Sequence, residues 1–298
     1  ETAAKRIAPY IHQTPLITSQ TFNNLFKAEL YFKCENFQKA GAFKSRGAVN
    51  AVFSLPEEDL QRGVCTHSSG NHAQALARAA GLRKIPAYIV MPETSPRAKV
   101  NAVKDYGGKI TFCKPTLEAR EKTLKEIQAR TSAIEIHPYN NRVVIRGQAT
   151  AALEIIKSEE NFDIIMAPVG GGGLLSGTAL ASKQLSPGTR VVGAEPQNAD
   201  DAYRSFYSGN FQPSTNPNTI ADGLLTSLGS ITFPIILQHV DAIVTVKEEN
   251  IKKAMWLIWE RMKMVVEPSS AVPMGALLEG QLDIKGKKIA IILSGGNV

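Results

Sequence analysis

The alternation of strand-like and helix-like segments restricts the fold of this chain more than any other feature. Short apolar runs typical of buried strands alternate with segments of helical periodicity, from LYFKCEN near the start to KKIAIILSGG near the end. Such an order forms βαβ units, in which the strands are parallel and helices cover both faces of the sheet. At 298 residues the chain has room for more than one sheet. We therefore predict an α/β fold with two open, mainly parallel sheets and helices on both faces.

One part of the chain is expected to form a unit of its own. Residues 60–140 contain consecutive pairs of strands and helices, which predicts a small domain inserted into a large domain. We assign residues 1–59 and 141–298 to the large domain. The active site is predicted in the cleft between the two domains, because ligands of open α/β folds bind beyond the carboxyl ends of the strands.

A run of four glycines follows one strand and opens the next helix. The run predicts a phosphate site, because glycine lets backbone N–H groups approach an anion and a helix N-terminus attracts negative charge. The spacing does not match a dinucleotide motif, which would need glycine in place of Leu175, or a P-loop, which would need lysine in place of Thr178. A tight packing turn is the alternative. The four residues are Gly170, Gly171, Gly172 and Gly173.

Two further turns carry polar side chains at strand ends. HSSGNH places two serines, an asparagine and a histidine together, which indicates a polar pocket, although one of these residues could serve only as a helix cap. LSGGN ends the last strand, and Ser294 there offers a hydroxyl group to a ring nitrogen or forms part of a turn. Because both turns follow strands, we expect them at one shared site.

Lys44 lies in a setting that is unusual for a surface lysine. It follows Phe43 and is surrounded by small residues, whereas Lys39 and Arg46 nearby are expected to be ordinary solvated charges. Pyridoxal 5′-phosphate needs a lysine for a Schiff base, a site for its phosphate, neighbours for its flat ring and a partner for its ring nitrogen. Lys44, the glycine run, Phe43 and Ser294 supply these in turn.

The composition of the chain limits the kinds of molecule that it is expected to bind. The net charge of +7 is not concentrated in basic blocks, so it favours small anionic ligands over nucleic acid. No apolar run approaches the length of a membrane span, and we expect no membrane association. Cys34, Cys65 and Cys113 are widely separated and form no metal or disulfide pattern, which favours a cytoplasmic protein.

These motifs, taken together, resemble the fold-type-II pyridoxal-phosphate enzymes, and within them the family of serine racemases and serine/threonine dehydratases. The resemblance covers nearly the whole chain. It rests on the segments KCENFQKAGAFKSRGAVNAV, HSSGNHAQALA, PAYIVMP, PVGGGGLLSG, AEPQNADDAYRS, TIADGL, VEPSSAV and LSGGNV, which occur in family order. It implies a two-domain fold like that of the tryptophan synthase β subunit, and we also expect a homodimer.

The resemblance assigns roles to several residues. Lys44 resembles the Schiff-base lysine, Phe43 the residue packed against the cofactor ring, and Asn71 the ligand of the cofactor's phenolic oxygen. The glycine run resembles the phosphate cup and Ser294 the partner of the pyridine nitrogen. A serine partner leaves that nitrogen unprotonated, which suits removal of an α-proton without transamination. Candidates to hold the substrate are Ser68, Ser69, Asn71, His72 and Arg120.

A divalent cation site is implied in the same way. Glu195, the carbonyl group of Ala199 and Asp201 resemble the family's cation ligands, and three oxygens suit magnesium or calcium. Without the resemblance these carboxylates would be expected in a solvated loop. The chain departs from its relatives at Ser45, where a bulky apolar residue is usual, and at Arg146, where a small one is usual.

The resemblance leaves two reactions open. In both, Lys44 removes the α-proton. Racemisation then needs a second acid–base group on the opposite face, and Ser69 resembles that group in serine racemases. Elimination of the β-hydroxyl gives a keto acid and ammonia. We therefore expect a serine racemase that also dehydrates serine- or threonine-type substrates.

Two alternatives to this activity remain at this point. One is a dedicated 3-hydroxyaspartate or serine/threonine dehydratase without significant racemase activity, in which Arg120 or Arg146 could bind a second carboxylate. The other is a ligand-binding protein on the same fold that has no enzymatic activity. The intact Lys44 argues against this second alternative.

Overall fold

The computed structural model describes residues 1–158 and 161–298, and within these the strands form two sheets. The strands are β1 (Leu16–Thr18), β2 (Glu29–Cys34), β3 (Val64–His67), β4 (Ala87–Pro92), β5 (Lys109–Cys113), β6 (Ile134–Glu135), β7 (Ile164–Pro168), β8 (Arg190–Pro196), β9 (Ala242–Val246) and β10 (Lys288–Leu293). The first sheet has the order β1-β2-β10-β7-β8-β9 and the second the order β5-β4-β3-β6. Only β1, which pairs with β2, is antiparallel to its neighbour among the described strands.

Helices lie between nearly all of these strands along the chain. They are α1 (Thr2–Ile7), α2 (Gln20–Phe26), α3 (Lys44–Phe53), α4 (Asn71–Leu82), α5 (Arg97–Asp105), α6 (Leu117–Thr131), α7 (Arg142–Ile156), α8 (Gly173–Leu185), α9 (Asp201–Ser208), α10 (Thr232–His239), α11 (Glu248–Leu257) and α12 (Pro268–Glu279). In the part of the chain that the structure describes, no helix is long and apolar enough to span a membrane.

The larger sheet is buried on both faces. Along β10, Ile289 and Ile291 belong to a core cluster that includes α11 and α12, whereas Ala290 and Ile292 belong to the cluster on the opposite face with α8. This alternation places successive side chains on opposite faces, as in any strand. Because both sets are apolar, β10 has no solvated face, as expected of a central parallel strand. The predicted α/β fold with two mainly parallel sheets is confirmed.

The smaller sheet uses strands that all lie between residues 64 and 135. Its core, however, also contains side chains from other parts of the chain, including Ile7, Ala48 and Val144. Helices α3 and α7 thus pack against this sheet from outside the predicted insertion. The division into domains at 60 and 140 stays a prediction.

Arg46 is not the solvated charge that the sequence predicted. It is among the largest fully buried side chains. Its guanidinium group donates to both carboxylate oxygens of Glu35, at 2.7 and 2.8 Å, and to those of Glu154, at 2.6 and 2.8 Å. Lys33 completes the group with a 2.5 Å contact to Glu154. A charge can be buried at this position because the two carboxylates compensate it.

Small residues allow helices α3 and α7 to approach each other closely. A Cβ atom on Gly147 would lie 2.6 Å from the carbonyl oxygen of Arg46, and one on Gly47 would lie 2.4 Å from Nε2 of Gln148. Some of the small residues near Lys44 therefore serve helix packing. Ser45, one of the departures from the family, is buried and donates its hydroxyl group to the carbonyl oxygen of Lys39.

The helical pattern of NIKKAMWLIWERMKMVV predicts one long helix that continues to Pro268, but the helix in the structure is shorter. Helix α11 stops at Leu257, a wider π-type turn follows over Ile258–Met262, and Lys263 adopts a left-handed conformation with φ of 58°. Beyond it, Met264 and Val266 are buried in the core of the larger sheet. This tertiary packing, which favours an extended chain, overrides the local helical pattern.

Candidate active site

A cavity of about 480 Å³ opens at the carboxyl ends of strands from both sheets. Apart from Arg146, its lining includes every residue predicted from sequence for catalysis, cofactor binding or substrate binding. These are Phe43, Lys44, Ser68, Ser69, Asn71, His72, Arg120, Gly170, Gly171, Gly172, Gly173 and Ser294. Their individual roles stay predictions, but the expected shared site exists as one cavity of a size that suits a small organic ligand.

Lys44 begins helix α3 and extends into this cavity. Its Nζ donates to the carbonyl oxygen of Pro138 at 2.8 Å and lies 5.1 Å from the centre of the Phe43 ring. Burial lowers the pKa of Lys44 to about 8, although the nearby Glu267 carboxylate acts in the opposite direction. More of the amine is therefore neutral near pH 7 than for a surface lysine, and the neutral amine is the form that attacks a carbonyl carbon.

The glycine run forms a turn between β7 and α8 in which side chains would not fit. Gly172 has φ of 85°, a conformation that L side chains rarely adopt. A Cβ atom on Gly171 would lie 2.3 Å from Cδ1 of Tyr139, and one on Gly170 would lie 2.9 Å from Cα of Leu224. The turn leads directly into the N-terminus of α8, where free backbone N–H groups and the helix dipole favour an anion.

The HSSGNH turn connects β3 with α4. Helix α4 has Gly70 at its N-cap and no side-chain capping hydrogen bond, so the interpretation of this turn as a simple cap is wrong. The Ser68 hydroxyl instead accepts from the backbone N–H of Gly70 at 3.3 Å. Ser69 is half-buried and lines the cavity. Its hydroxyl is thus available to a ligand rather than needed by the helix.

Burial disfavours the charged form of both histidines that line the cavity. It lowers the pKa of His72 to about 3 and the pKa of His67 below its usual range. Nε2 of His72 lies 2.8 Å from the carbonyl oxygen of Ile136, which can only accept, so this nitrogen carries the proton. The His72 side chain therefore brings no positive charge to a substrate carboxylate. Its predicted role must rely on its backbone N–H in the first turn of α4.

Besides Lys44, two cationic side chains line the cavity. Arg120 lies on α6, and Lys99 on α5 forms a 2.5 Å ion pair with Asp222 across the cavity. Both lie on helices that flank the smaller sheet. Arg146, the other candidate for a second substrate carboxylate, is exposed on α7 and does not line the cavity.

Sequence reasoning missed several side chains of the site, above all Glu267 and Tyr139. Glu267 is only 4% exposed and contacts Asn71. Glu267 belongs to the segment VEPSSAV, in which the sequence analysis gave no residue a role. A single acidic residue in the mainly apolar stretch MVVEPSSAV could nevertheless have indicated a functional side chain. Tyr139 follows the two-residue strand β6, which is too short for a clear sequence pattern.

The predicted cation ligands lie outside the cavity. Glu195 is a buried residue near the end of β8. Its carboxylate oxygens accept from the backbone N–H groups of Ala202 and Tyr203 at 3.0 and 2.8 Å. Asp201 is fully buried, and neither of its carboxylate oxygens has a hydrogen-bond partner of normal geometry. These carboxylates are therefore not in a solvated loop. Among the described residues, no group of three or more histidine, cysteine or acidic side chains is placed to hold a metal.

The residues of the cavity fit pyridoxal 5′-phosphate. The glycine turn lines the cavity and leads into a helix N-terminus that favours an anion such as a phosphate, Lys44 has a lowered pKa, and Ser294 lies 2% exposed at the end of β10. Fold and site together are those of an α/β protein with a cavity suited to a phosphorylated cofactor.

Comparisons with known proteins agree with this class. The model of the family described as "Pyridoxal-phosphate dependent enzyme" matches residues 7–295. The chain is 54% identical to serine racemase of Dictyostelium discoideum, covering 99% of this chain and 93% of the relative. It is 49% identical to beta-hydroxyaspartate dehydratase of Paracoccus denitrificans, covering 99% and 94%.

A solved structure gives the same result. The crystal structure of the Dictyostelium discoideum serine racemase matches with a TM-score of 0.94 at 53% identity, covering 100% of this chain and 96% of that one. The chain belongs to the family of pyridoxal-phosphate dependent enzymes. The resemblance stated from the sequence motifs is confirmed, and the alternative of a non-enzymatic binding protein loses its basis.

Proposed function

We propose that the protein is a serine racemase that also eliminates water from serine- and threonine-type 3-hydroxy amino acids. The observation that carries the proposal is the presence of Lys44 and Ser69 in one cavity, on two different elements, α3 and the turn before α4. The 54% identity to a serine racemase over nearly the whole chain supports it.

Different residues of the cavity would bind different parts of the cofactor and the substrate. Backbone N–H groups of the glycine turn would bind the phosphate, Asn71 the phenolic oxygen and Ser294 the ring nitrogen. When bound, pyridoxal 5′-phosphate supplies the electron sink that stabilises negative charge at the substrate α-carbon. The N-terminus of α4 and the positive charge of Arg120 would hold the substrate carboxylate.

Lys44 and Ser69 would move the protons. The neutral amine of Lys44 takes the α-proton at Nζ, and the Ser69 hydroxyl gives a proton to the opposite face, which inverts the α-carbon. Elimination would need only Lys44, which passes the proton it has taken to the β-hydroxyl group, so that this group leaves as water. The resulting product hydrolyses to a keto acid and ammonia. Both activities can therefore share one cavity, and Ser69 is needed for only one of them.

Substitution of Ser69 by alanine tests this division. The side chain caps no helix, so the fold should survive the change. Formation of D-serine from L-serine should fall about 100- to 10,000-fold, the usual contribution of a general acid–base group. Dehydration of L-serine should stay within about tenfold, corresponding to a lost contact of about 1.4 kcal/mol. An equal loss of both activities would make Ser69 a residue that only positions the substrate.

A dedicated 3-hydroxyaspartate dehydratase is the second candidate. The 49% identity to a beta-hydroxyaspartate dehydratase favours it, as do Arg120 and Lys99 at the cavity, which could bind a second carboxylate. This candidate predicts rapid consumption of 3-hydroxyaspartate without any D-serine from L-serine. Arg120→Ala should then impair the dicarboxylate substrate far more than serine.

We also propose a divalent cation at Glu195, Asp201 and the carbonyl group of Ala199. Burial raises the pKa of Asp201 to about 7, and burial together with the Asp201 charge raises that of Glu195 well above its usual range. Two buried carboxylates without a compensating cation are unfavourable. A magnesium or calcium ion, which prefers such oxygen ligands, would supply the missing charge.

The remaining proposals concern organisation and location. We propose that the protein forms a homodimer in the cytoplasm and consists of a small domain over residues 60–140 inserted into a large one. The separate strands of the smaller sheet support the division. The three cysteines, all of them free and buried, suit a reducing compartment.

A further inference from the structure

A buried carboxyl group in the cavity wall has no part in the mechanism above. Glu267 directly precedes α12 and lines the cavity beside Lys44 and Asn71. Each of its carboxylate oxygens lies 2.9 Å from Nδ2 of Asn71. A Cβ atom on Gly295 would lie 2.7 Å from Oε1 of Glu267, so only glycine at that position leaves space for the carboxyl group.

The oxygen of the Asn71 side-chain amide also has a hydrogen-bond partner. Its Oδ1 accepts from Nδ2 of Asn297 at 2.9 Å, and the same nitrogen of Asn297 donates to the carbonyl oxygen of Ala40 at 2.8 Å. A carboxylate can only accept hydrogen bonds, and an amide NH₂ group can only donate them. Glu267 therefore selects the nitrogen of Asn71, and Asn297 selects the oxygen.

This arrangement determines what Asn71 can offer to a ligand. The two oxygens of one carboxylate lie too close together to take both N–H groups of an amide, which diverge, so Glu267 uses one of them. The second N–H remains free, while the amide oxygen already accepts from Asn297. An asparagine without these neighbours could present either its oxygen or its nitrogen.

We infer that Glu267 is a positioning residue for the cofactor, which fixes the Asn71 amide so that an N–H group faces the phenolic oxygen of pyridoxal 5′-phosphate. The inference rests on the proposed function, since it needs the cofactor at Lys44. Glu267 does not touch the reacting atoms and acts through Asn71. It extends the cofactor site to the N-cap residue of α12, a helix to which the mechanism above assigns no residue.

The ionisation of Glu267 gives the inference a measurable consequence. Burial raises the pKa of Glu267 to about 7, while the hydrogen bond from Asn71 opposes this rise. The charged groups that face it are Lys44 on α3, Asp222 in the turn after residue 221 and Lys99 on α5. Glu267 is thus protonated at acidic pH and becomes a carboxylate near neutrality, which changes the acceptor next to Asn71.

Two substitutions separate the contact from the charge. In Glu267→Gln the amide oxygen can still accept from Asn71 but cannot ionise, whereas Glu267→Ala removes the acceptor. Glu279→Gln is a matched control, because Glu279 lies at the other end of α12 and accepts from Nδ2 of Asn250 at 2.9 Å, outside the cavity. The readouts are the dissociation constant of pyridoxal 5′-phosphate and the absorbance spectrum of the lysine-bound cofactor from pH 6 to pH 9.

We expect Glu267→Ala to bind the cofactor about tenfold or more weakly, as for a lost hydrogen bond to a charged group. Glu267→Gln should restore affinity to within about threefold of the wild type, yet lose the spectral change centred near pH 7. Glu279→Gln should match the wild type in both measurements.

Several results would overturn the inference. Wild-type affinity in a folded Glu267→Ala protein would show that the amide needs no such support. If the alanine variant does not fold, a wild-type pH titration in Glu267→Gln would refute it instead. Absence of a lysine-bound cofactor band in the wild type itself would overturn the proposed function, and this inference with it.

Discussion

Replacing Arg46 by methionine should destabilise the protein strongly, although the sequence around Arg46 resembles a solvated surface. Methionine is close in size but cannot pair with Glu35, which is itself fully buried. Burial alone would raise the pKa of Glu35, but the Arg46 guanidinium group lowers it overall. Removing one partner of a buried ion pair costs about 3–5 kcal/mol, because the other charge stays buried without compensation. We expect a loss of this size in the free energy of unfolding.

Urea unfolding of the protein at pH 7 measures this loss. Lys183→Met is the control, because Lys183 pairs with Asp241 at 3.0 Å while both side chains are about one-third exposed. Such a pair contributes about 0–1 kcal/mol. Glu35→Gln in the Arg46→Met background should recover part of the loss, since a neutral amide is cheaper to bury than a carboxylate. A loss below about 1 kcal/mol for Arg46→Met would refute the reasoning.

The sign of the pH dependence follows from the lowered pKa of Glu35. A carboxyl group whose pKa is lower in the folded protein than in the unfolded chain stabilises the fold above its unfolded pKa of about 4. That contribution disappears as the pH falls through the folded-state pKa. The difference in stability between the wild type and Arg46→Met should therefore be fully present at pH 7 and shrink in strong acid.

Three further predictions concern the cavity and the cation site. EDTA should lower the melting temperature of the wild type, and magnesium should restore it. Asp201→Ala should abolish both responses. An equal melting temperature with EDTA, with magnesium and with neither would contradict a bound cation. Gly171→Ala should weaken cofactor binding about tenfold or more, since the new methyl group meets the Tyr139 ring at 2.3 Å, whereas Gly188→Ala, with no atom within 4 Å, should not. The rate at which Lys44 captures the cofactor should rise to a plateau above about pH 8, as its lowered pKa requires; a rise that continues to pH 10 would refute this.

The sequence predicted the site better than it predicted the surroundings of the site. The glycine run, the HSSGNH turn and the final LSGGN turn follow strands, so their meeting at one cavity follows from the parallel arrangement. Lys44 was expected at the site from its neighbours and does line the cavity, although some of those small residues serve helix packing. These predictions depended on local sequence alone.

Residues whose environment is set by distant segments escaped prediction. Arg46 is buried because Glu35 and Glu154 come from other elements, 11 and 108 positions away. Glu267 reaches Asn71 across 196 positions. Helix α11 ends early because the following segment packs into the sheet core. Burial and pairing over such separations are tertiary effects that periodicity and propensity do not report.

One incubation tests the central claim most directly. The protein, supplied with pyridoxal 5′-phosphate and magnesium, is mixed with L-serine, and both D-serine and pyruvate are measured over time, with Lys44→Ala as the blank. We expect both products from the wild type and neither from the variant. Pyruvate without D-serine, together with faster turnover of 3-hydroxyaspartate, would contradict the racemase assignment and establish the dehydratase in its place.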